Sequence, residues 1–104
     1  MNTTRPGFIH DVDSQRYVIT IDGVEAGYVS YELLTSRLGE PALRDFNHTV
    51  IHSDYRGSGL SSRLIRFALD DTIEANLAYR STCSAVEHFI SKHPAYVDGL
   101  DGSV

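Results

Sequence analysis

The stretch Tyr55-Arg56-Gly57-Ser58-Gly59-Leu60-Ser61 could hold a phosphate. Its two glycines keep side chains off the turn, and an amphipathic run begins at Leu60. Backbone N–H groups and the positive end of a helix then face one small volume, which suits a diphosphate without help from a lysine. A tight strand-to-helix turn that binds nothing would have the same sequence. Cys83 stands just ahead of a second helix start, where the helix dipole favours a thiolate and so a nucleophile. The alternative is a small apolar residue that fills space beneath a sheet. His48 is an imidazole on a strand that could accept a proton. His52, four residues on, shares its strand face, but the pair has no third ligand for zinc.

These residues need elements to place them. Arg16 to Ile21 is rich in β-formers, Asp22-Gly23 is a hairpin signal, and Ala26 to Leu34 reads as the return strand. Phe8 to Val12 is a weaker first strand. Thr35 to Pro41 reads as a loop, and Leu43 to Ile51 as the strand that ends at the glycine turn. The period then changes. Leu60, Leu64, Ile65, Ala68, Leu69 and Thr72 fall on one side of a helix, with Ser62, Arg63, Arg66, Asp70 and Glu74 on the other. Leu77 to Thr82 reads as a short strand. Ser84-Ala85-Val86-Glu87 has the pattern of a capping box with Ser84 as N-cap. Val86, Phe89, Ile90 and His93 follow at helical spacing until Pro94, and the tail from Asp98 reads as frayed.

The order is antiparallel strands, helix, strand, helix: an α/β (α+β) chain. The strand after the first helix can return parallel to the strand before it. The glycine turn then lies at the carboxyl end of that first strand, where open sheets bind ligands.

A length of 104 residues, 1–104, suggests one domain. A single cysteine excludes an internal disulfide and a multi-cysteine zinc site. The net charge of −5 argues against a nucleic-acid backbone as partner. No run is long and apolar enough for a membrane helix, and the N-terminus has no secretory pattern, so a cytoplasmic location is expected.

On its motifs the chain resembles the GNAT superfamily of acyl-CoA N-acyltransferases. That superfamily's phosphate motif is Gln/Arg-x-x-Gly-x-Gly/Ala. Arg56-Gly57-Ser58-Gly59-Leu60-Ser61 matches it, with Ser61 where Gly or Ala is usual. A narrower resemblance covers nearly the whole chain, to a small single-domain GNAT-like family. Its marks here are Ala26-Gly27-Tyr28 after Asp22-Gly23, His48-Thr49-Val50-Ile51, Arg56-Gly57-Ser58-Gly59, Cys83-Ser84 and His93-Pro94-Ala95-Tyr96. Ser84 stands where the family has proline, and the segment from Thr35 to Asp45 is longer than the family's usual connection.

The resemblance implies a compact mixed sheet, antiparallel strands first and a parallel crossover after, with a C-terminal helix. It implies an acetyl-CoA site between two splayed parallel strands, with no metal. The pantetheine arm would lie along the strand ending near Ile51. A backbone N–H near Val50 or Ile51 would polarise the thioester carbonyl. Arg56, Gly57, Ser58, Gly59, Leu60 and Ser61 would hold the diphosphate. Cys83 would lie near the thioester, as nucleophile or as wall. His48 would accept the amine proton, Tyr96 would serve as acid toward the leaving sulfur, and His93 would lie near the cofactor. Each of these side chains could instead be structural. The implied activity is acetyl transfer from acetyl-CoA to an unnamed amine, by a monomer or weak homodimer. A module or sensor that holds CoA without efficient catalysis is the alternative. A dinucleotide-binding fragment fits less well, since Ser62 occupies the place of the third glycine.

Overall fold

The computed structural model describes residues 5–100. The N-terminal stretch read for a signal and the last residues of the tail therefore lie partly outside the described residues.

Four strands come first: β1 (Pro6–Asp11), β2 (Arg16–Ile21), β3 (Val24–Thr35) and β4 (Pro41–Ile51). Each pairs antiparallel with the next. The Asp22-Gly23 turn sets β2 against β3, with both residues left-handed at φ 51° and 83°, as a two-residue hairpin of that twist requires. Helix α1 (Leu60–Glu74) leads to β5 (Ala78–Ser81), which pairs parallel with β4. Helix α2 (Ser84–Lys92) and a 3-10 turn (Pro94–Gly99) complete the described chain. The strand order is β1-β2-β3-β4-β5, the mixed α+β sheet that the change of period implies.

Both helices lie on one face. The apolar stripe of α1, Leu60, Leu64, Ile65, Ala68 and Leu69, is buried, as are Val86, Phe89 and Ile90 of α2. They form one core with Tyr17, Ile19, Val29, Phe46 and Tyr79 of the sheet. Burying such side chains is worth roughly 1.5–3 kcal/mol each. Among the described residues no helix covers the other sheet face. Direct strand partners share a face, so the register orders that free face into rows. One row is Ile9, Val18, Tyr28 and Val50; rows on either side are Asp11, Arg16, Ser30, His48 and Gly7, Thr20, Glu25.

Three local expectations change. Cys83, not Ser84, is the N-cap of α2, and no side chain caps it. The reason is Ser81. Its hydroxyl accepts from the Cys83 N–H at 2.9 Å and donates to the Cys83 carbonyl at 3.0 Å, which fixes the turn one residue earlier. The first part of the tail is ordered: Tyr79 donates its hydroxyl to the Tyr96 carbonyl, and Leu100 bridges to Tyr79. The first strand begins at Pro6 rather than Phe8, because Pro6 already pairs with Ile21.

Candidate active site

β4 and β5 part company early. Their register runs from Leu43 with Ala78 to Phe46 with Ser81, and the last link is Thr82 N–H to the Phe46 carbonyl at 3.0 Å. β4 continues to Ile51 paired with β3 alone. A bulge at Asn47 marks the change, where the register steps from Tyr31–Phe46 to Ser30–His48. Beyond it the β5 side of β4 is an open wedge.

The ladder decides which groups face that wedge. In an antiparallel pair the backbone groups of alternate residues turn toward the partner. The His52 N–H donates to the Ala26 carbonyl at 2.8 Å. His52, Val50 and His48 thus turn their backbone groups to β3, and Thr49 and Ile51 turn theirs to the wedge. The Arg56 side chain bonds the Ile51 carbonyl at 3.2 Å. The Thr49 and Ile51 N–H groups are left facing the open side, while the Val50 N–H belongs to the sheet.

The glycine turn closes the far end of β4. Gly57 and Gly59 have φ 86° and 73°, and a Cβ at either would meet nothing within 4 Å. These glycines are needed for a left-handed backbone, which costs an ordinary residue roughly 1–2 kcal/mol. Gly59 is the N-cap of α1, with no side-chain cap and no acid in the first turn. Among the described residues, none of the N–H groups of Gly57, Ser58, Gly59, Leu60 and Ser61 donates to a protein acceptor. The Ser58 hydroxyl donates to the Tyr55 carbonyl at 2.7 Å, which shapes the turn. The result is a cluster of free donors at a positive helix end, the arrangement that takes an anion.

Cys83 stands at the mouth of the wedge on the helix face, half-buried against the core. Its Sγ is 3.3 Å from Thr49 Oγ1. Thr49 was not singled out in the sequence, although it lies inside the His-Thr motif. His48 is exposed on the opposite face, its ring 6.4 Å from that of Tyr28. The register separates Cys83 and His48 by the thickness of the sheet. His52 continues the row of His48 and Val50. Its Nε2 is 3.0 Å from Glu25 Oε2, a partner distant in sequence that no local pattern could supply.

Tyr96 is buried, and its hydroxyl donates to Asp70 at 2.8 Å and accepts from Arg66 at 3.2 Å. Burial, then Asp70, holds this phenol above its ordinary pKa. It ties the C-terminal turn to the middle of α1. His93 caps the far end of α2, roughly 15 Å along the helix axis from Cys83. Its Nδ1–H donates to the Phe89 carbonyl at 2.8 Å, and its ring stacks on Phe89 at 4.1 Å. Arg66 lies over Phe89 and Tyr96, while Arg63 is exposed beside the turn. The larger surface groove, about 450 Å³, lies elsewhere, between Phe8 of β1 and Arg63 to Asp70 of α1. A smaller hollow of about 180 Å³ adjoins the turn at Tyr55, Ser58 and Leu60.

Alongside the splayed parallel strand pair and the free-donor turn at the start of the following helix, the family model for GCN5-related N-acetyl-transferases matches residues 16–99. The chain belongs to that family. It is 27% identical to the bovine (Bos taurus) protein NATD1, over 82% of this chain and 72% of that one. Among solved structures it resembles a GCN5-like protein from Staphylococcus aureus, with a TM-score of 0.63 and 17% identity, over 98% of this chain and 90% of that one. It also resembles an aminoglycoside N-acetyltransferase in complex with CoA, with a TM-score of 0.51 and 16% identity, over 86% and 60%. At such identities the structural likenesses speak for the fold. No helix among the described residues is long and apolar enough to cross a membrane, and no group of three metal-ligating side chains is found there.

Proposed function

We propose that the protein transfers an acetyl group from acetyl-CoA to an amine, with the thioester in the wedge between β4 and β5. The supporting observation is the wedge itself: two N–H groups face it, and the glycine turn stands at its end. The Thr49 and Ile51 N–H groups are placed to donate to a thioester carbonyl, whose oxygen gains charge as the amine attacks. The N–H groups from Gly57 to Ser61 hold the diphosphate, and Arg56, its own N–H on the Ser53 carbonyl and its side chain on the Ile51 carbonyl, braces the turn. Membership of the family and the CoA-bound neighbour favour this donor.

Cys83 is at the thioester end in this reading, as a wall of the acyl pocket that Thr49 holds in place. His93 and Tyr96 fix α2 and the C-terminal turn behind it.

Calorimetry with CoA and release of free CoA thiol with an added amine test the proposal. Binding with thiol release supports a transferase. Binding without transfer would make the protein a CoA-holding module. An acetylated Cys83 formed from acetyl-CoA alone, at a rate matching turnover, would make Cys83 a nucleophile instead of a wall.

A further inference from the structure

The wedge has two sides, and they are not equally open. On the helix face Thr49 and Cys83 meet at 3.3 Å and α2 begins. On the free face stand the side chains of His48, Val50 and His52, with no element above them among the described residues. An amine that reaches a thioester held by the Thr49 and Ile51 N–H groups has its open approach on that free face.

We infer that the free face is the acceptor side, and that a primary amine with an apolar body lies along Val50 and Tyr28, over the buried Val18 and toward Ile9, while the Glu25–His52 pair takes its proton. This rests on the reading of the wedge as the acetyl-CoA site. The row crosses four strands in direct register and ends at Val50, between the two residues whose N–H groups face the wedge. Ile9 is 51% exposed at its outer end. The face carries four carboxylates, Asp11, Glu25, Glu32 and Asp45, against the two arginines Arg16 and Arg80, so a cationic amine is favoured over an anionic acceptor.

His52 differs from His48 in having a carboxylate partner. With Nε2–H donated to Glu25 at 3.0 Å, Nδ1 carries the lone pair. Glu25 is a positioning residue, itself held by Arg16 at 3.2 Å, and Arg16 is 3.8 Å from Asp11. Asp54 and Arg56 are the charged residues of the adjoining turn. In the step, the ammonium gives one proton to His52 Nδ1, which passes it to solvent. The amine nitrogen then bonds to the carbonyl carbon and the C–S bond breaks. The nitrogen's second proton ends on the departing sulfur, leaving an amide and free CoA thiol.

The test uses the full chain loaded with CoA, and n-hexylamine as probe. In ¹⁵N spectra, hexylamine should shift the amides of Val18, Tyr28 and Val50, and leave those of α1 unmoved. With acetyl-CoA and hexylamine, His52→Gln should lower kcat about a hundredfold and Glu25→Gln about tenfold, with the KM for acetyl-CoA unchanged in both. Both variants should bind CoA as the parent does, which also shows that they fold. Shifts confined to the helix face, no acetylation of hexylamine by CoA-binding protein, or the hundredfold loss of kcat in His48→Gln with His52→Gln near the parent rate would each overturn the inference. Failure of the parent chain to bind CoA would instead remove the wedge reading beneath it.

Discussion

At Leu60 helix α1 begins with free N–H groups, a left-handed glycine as cap and no acid in its first turn. At its other end Asp71 and Thr72 enter a closed polar cluster. The Tyr17 hydroxyl donates to Asp71 at 2.6 Å, and Arg44 reaches Tyr17 at 2.5 Å, Thr72 at 3.1 Å and Asp71 at 3.4 Å. His10 stacks on Tyr17 at 4.1 Å and bridges Asp71 at 3.3 Å and Tyr31 at 2.7 Å. Arg44 is 9% exposed and Tyr17 fully buried. One helix thus has an end left open to ligand and an end sealed into the core. Polar groups in the sealed end pair with one another, all but Arg44 Nε, because an unpaired buried group costs about 1–3 kcal/mol. Those in the open end have water, or a ligand, as partner.

The largest effect expected is at the sealed end. Arg44→Ala removes the central donor and should cost about 3 kcal/mol in urea unfolding, at the low end for a broken buried ion pair because Asp71 is partly exposed. The CoA affinity of the folded fraction should not change. If Arg44→Ala weakens CoA binding in fully folded protein, the two ends are coupled and the contrast between them fails.

At the open end Gly59→Val should cost roughly 1–2 kcal/mol of stability through its φ of 73° and lower CoA affinity at least tenfold. Gly59→Asn should be milder, since asparagine tolerates that conformation. Equal CoA binding by parent and Gly59→Val, measured by calorimetry, would detach the turn from the phosphate.

Alkali should act on the core and spare the turn. Burial, then the Asp71 hydrogen bond, raises the Tyr17 phenol, and burial, then Tyr96, pushes Tyr79 up to about 12. Between pH 10 and about 12 the unfolded phenol has lost its proton and the folded Tyr79 has kept it. The unfolded state binds fewer protons there, so stability falls as pH rises, by at most about 1.4 kcal/mol per pH unit for each such group. Urea midpoints that stay level through this window in the parent, or fall equally in Tyr79→Phe, would contradict the assignment.

The smallest effect is at His10. Burial, then Arg44, lowers its pKa below 6.5 in spite of Asp71. The unfolded imidazole gains a proton before the folded one, so stability declines as pH falls through that region. His10→Gln should flatten this part of the urea-midpoint profile. An unchanged acid profile in His10→Gln would assign the decline to the carboxylates.

The sequence by itself determined what is local. β-formers, turn signals and the change to a helical period placed the five strands and two α-helices of the described chain to within about two residues at their ends, and missed the two 3-10 turns. Asp22-Gly23 gave the hairpin, and Arg56-Gly57-Ser58-Gly59 gave a turn whose φ values only glycine accepts readily. Helix periodicity also named the buried face of α1 residue by residue. What tertiary structure decided is what joins distant residues. The wedge depends on where β4 and β5 stop pairing, and on a bulge at Asn47 that sets whether Thr49 or Val50 turns its N–H outward. The same register put Cys83 and His48 on opposite faces, and set His52 beside Glu25. It brought Tyr17, Arg44 and Asp71 together from 27 and 54 residues apart. A one-residue slip in a strand exchanges its faces, so neither the type nor the spacing of these side chains could show which side of the sheet each would take.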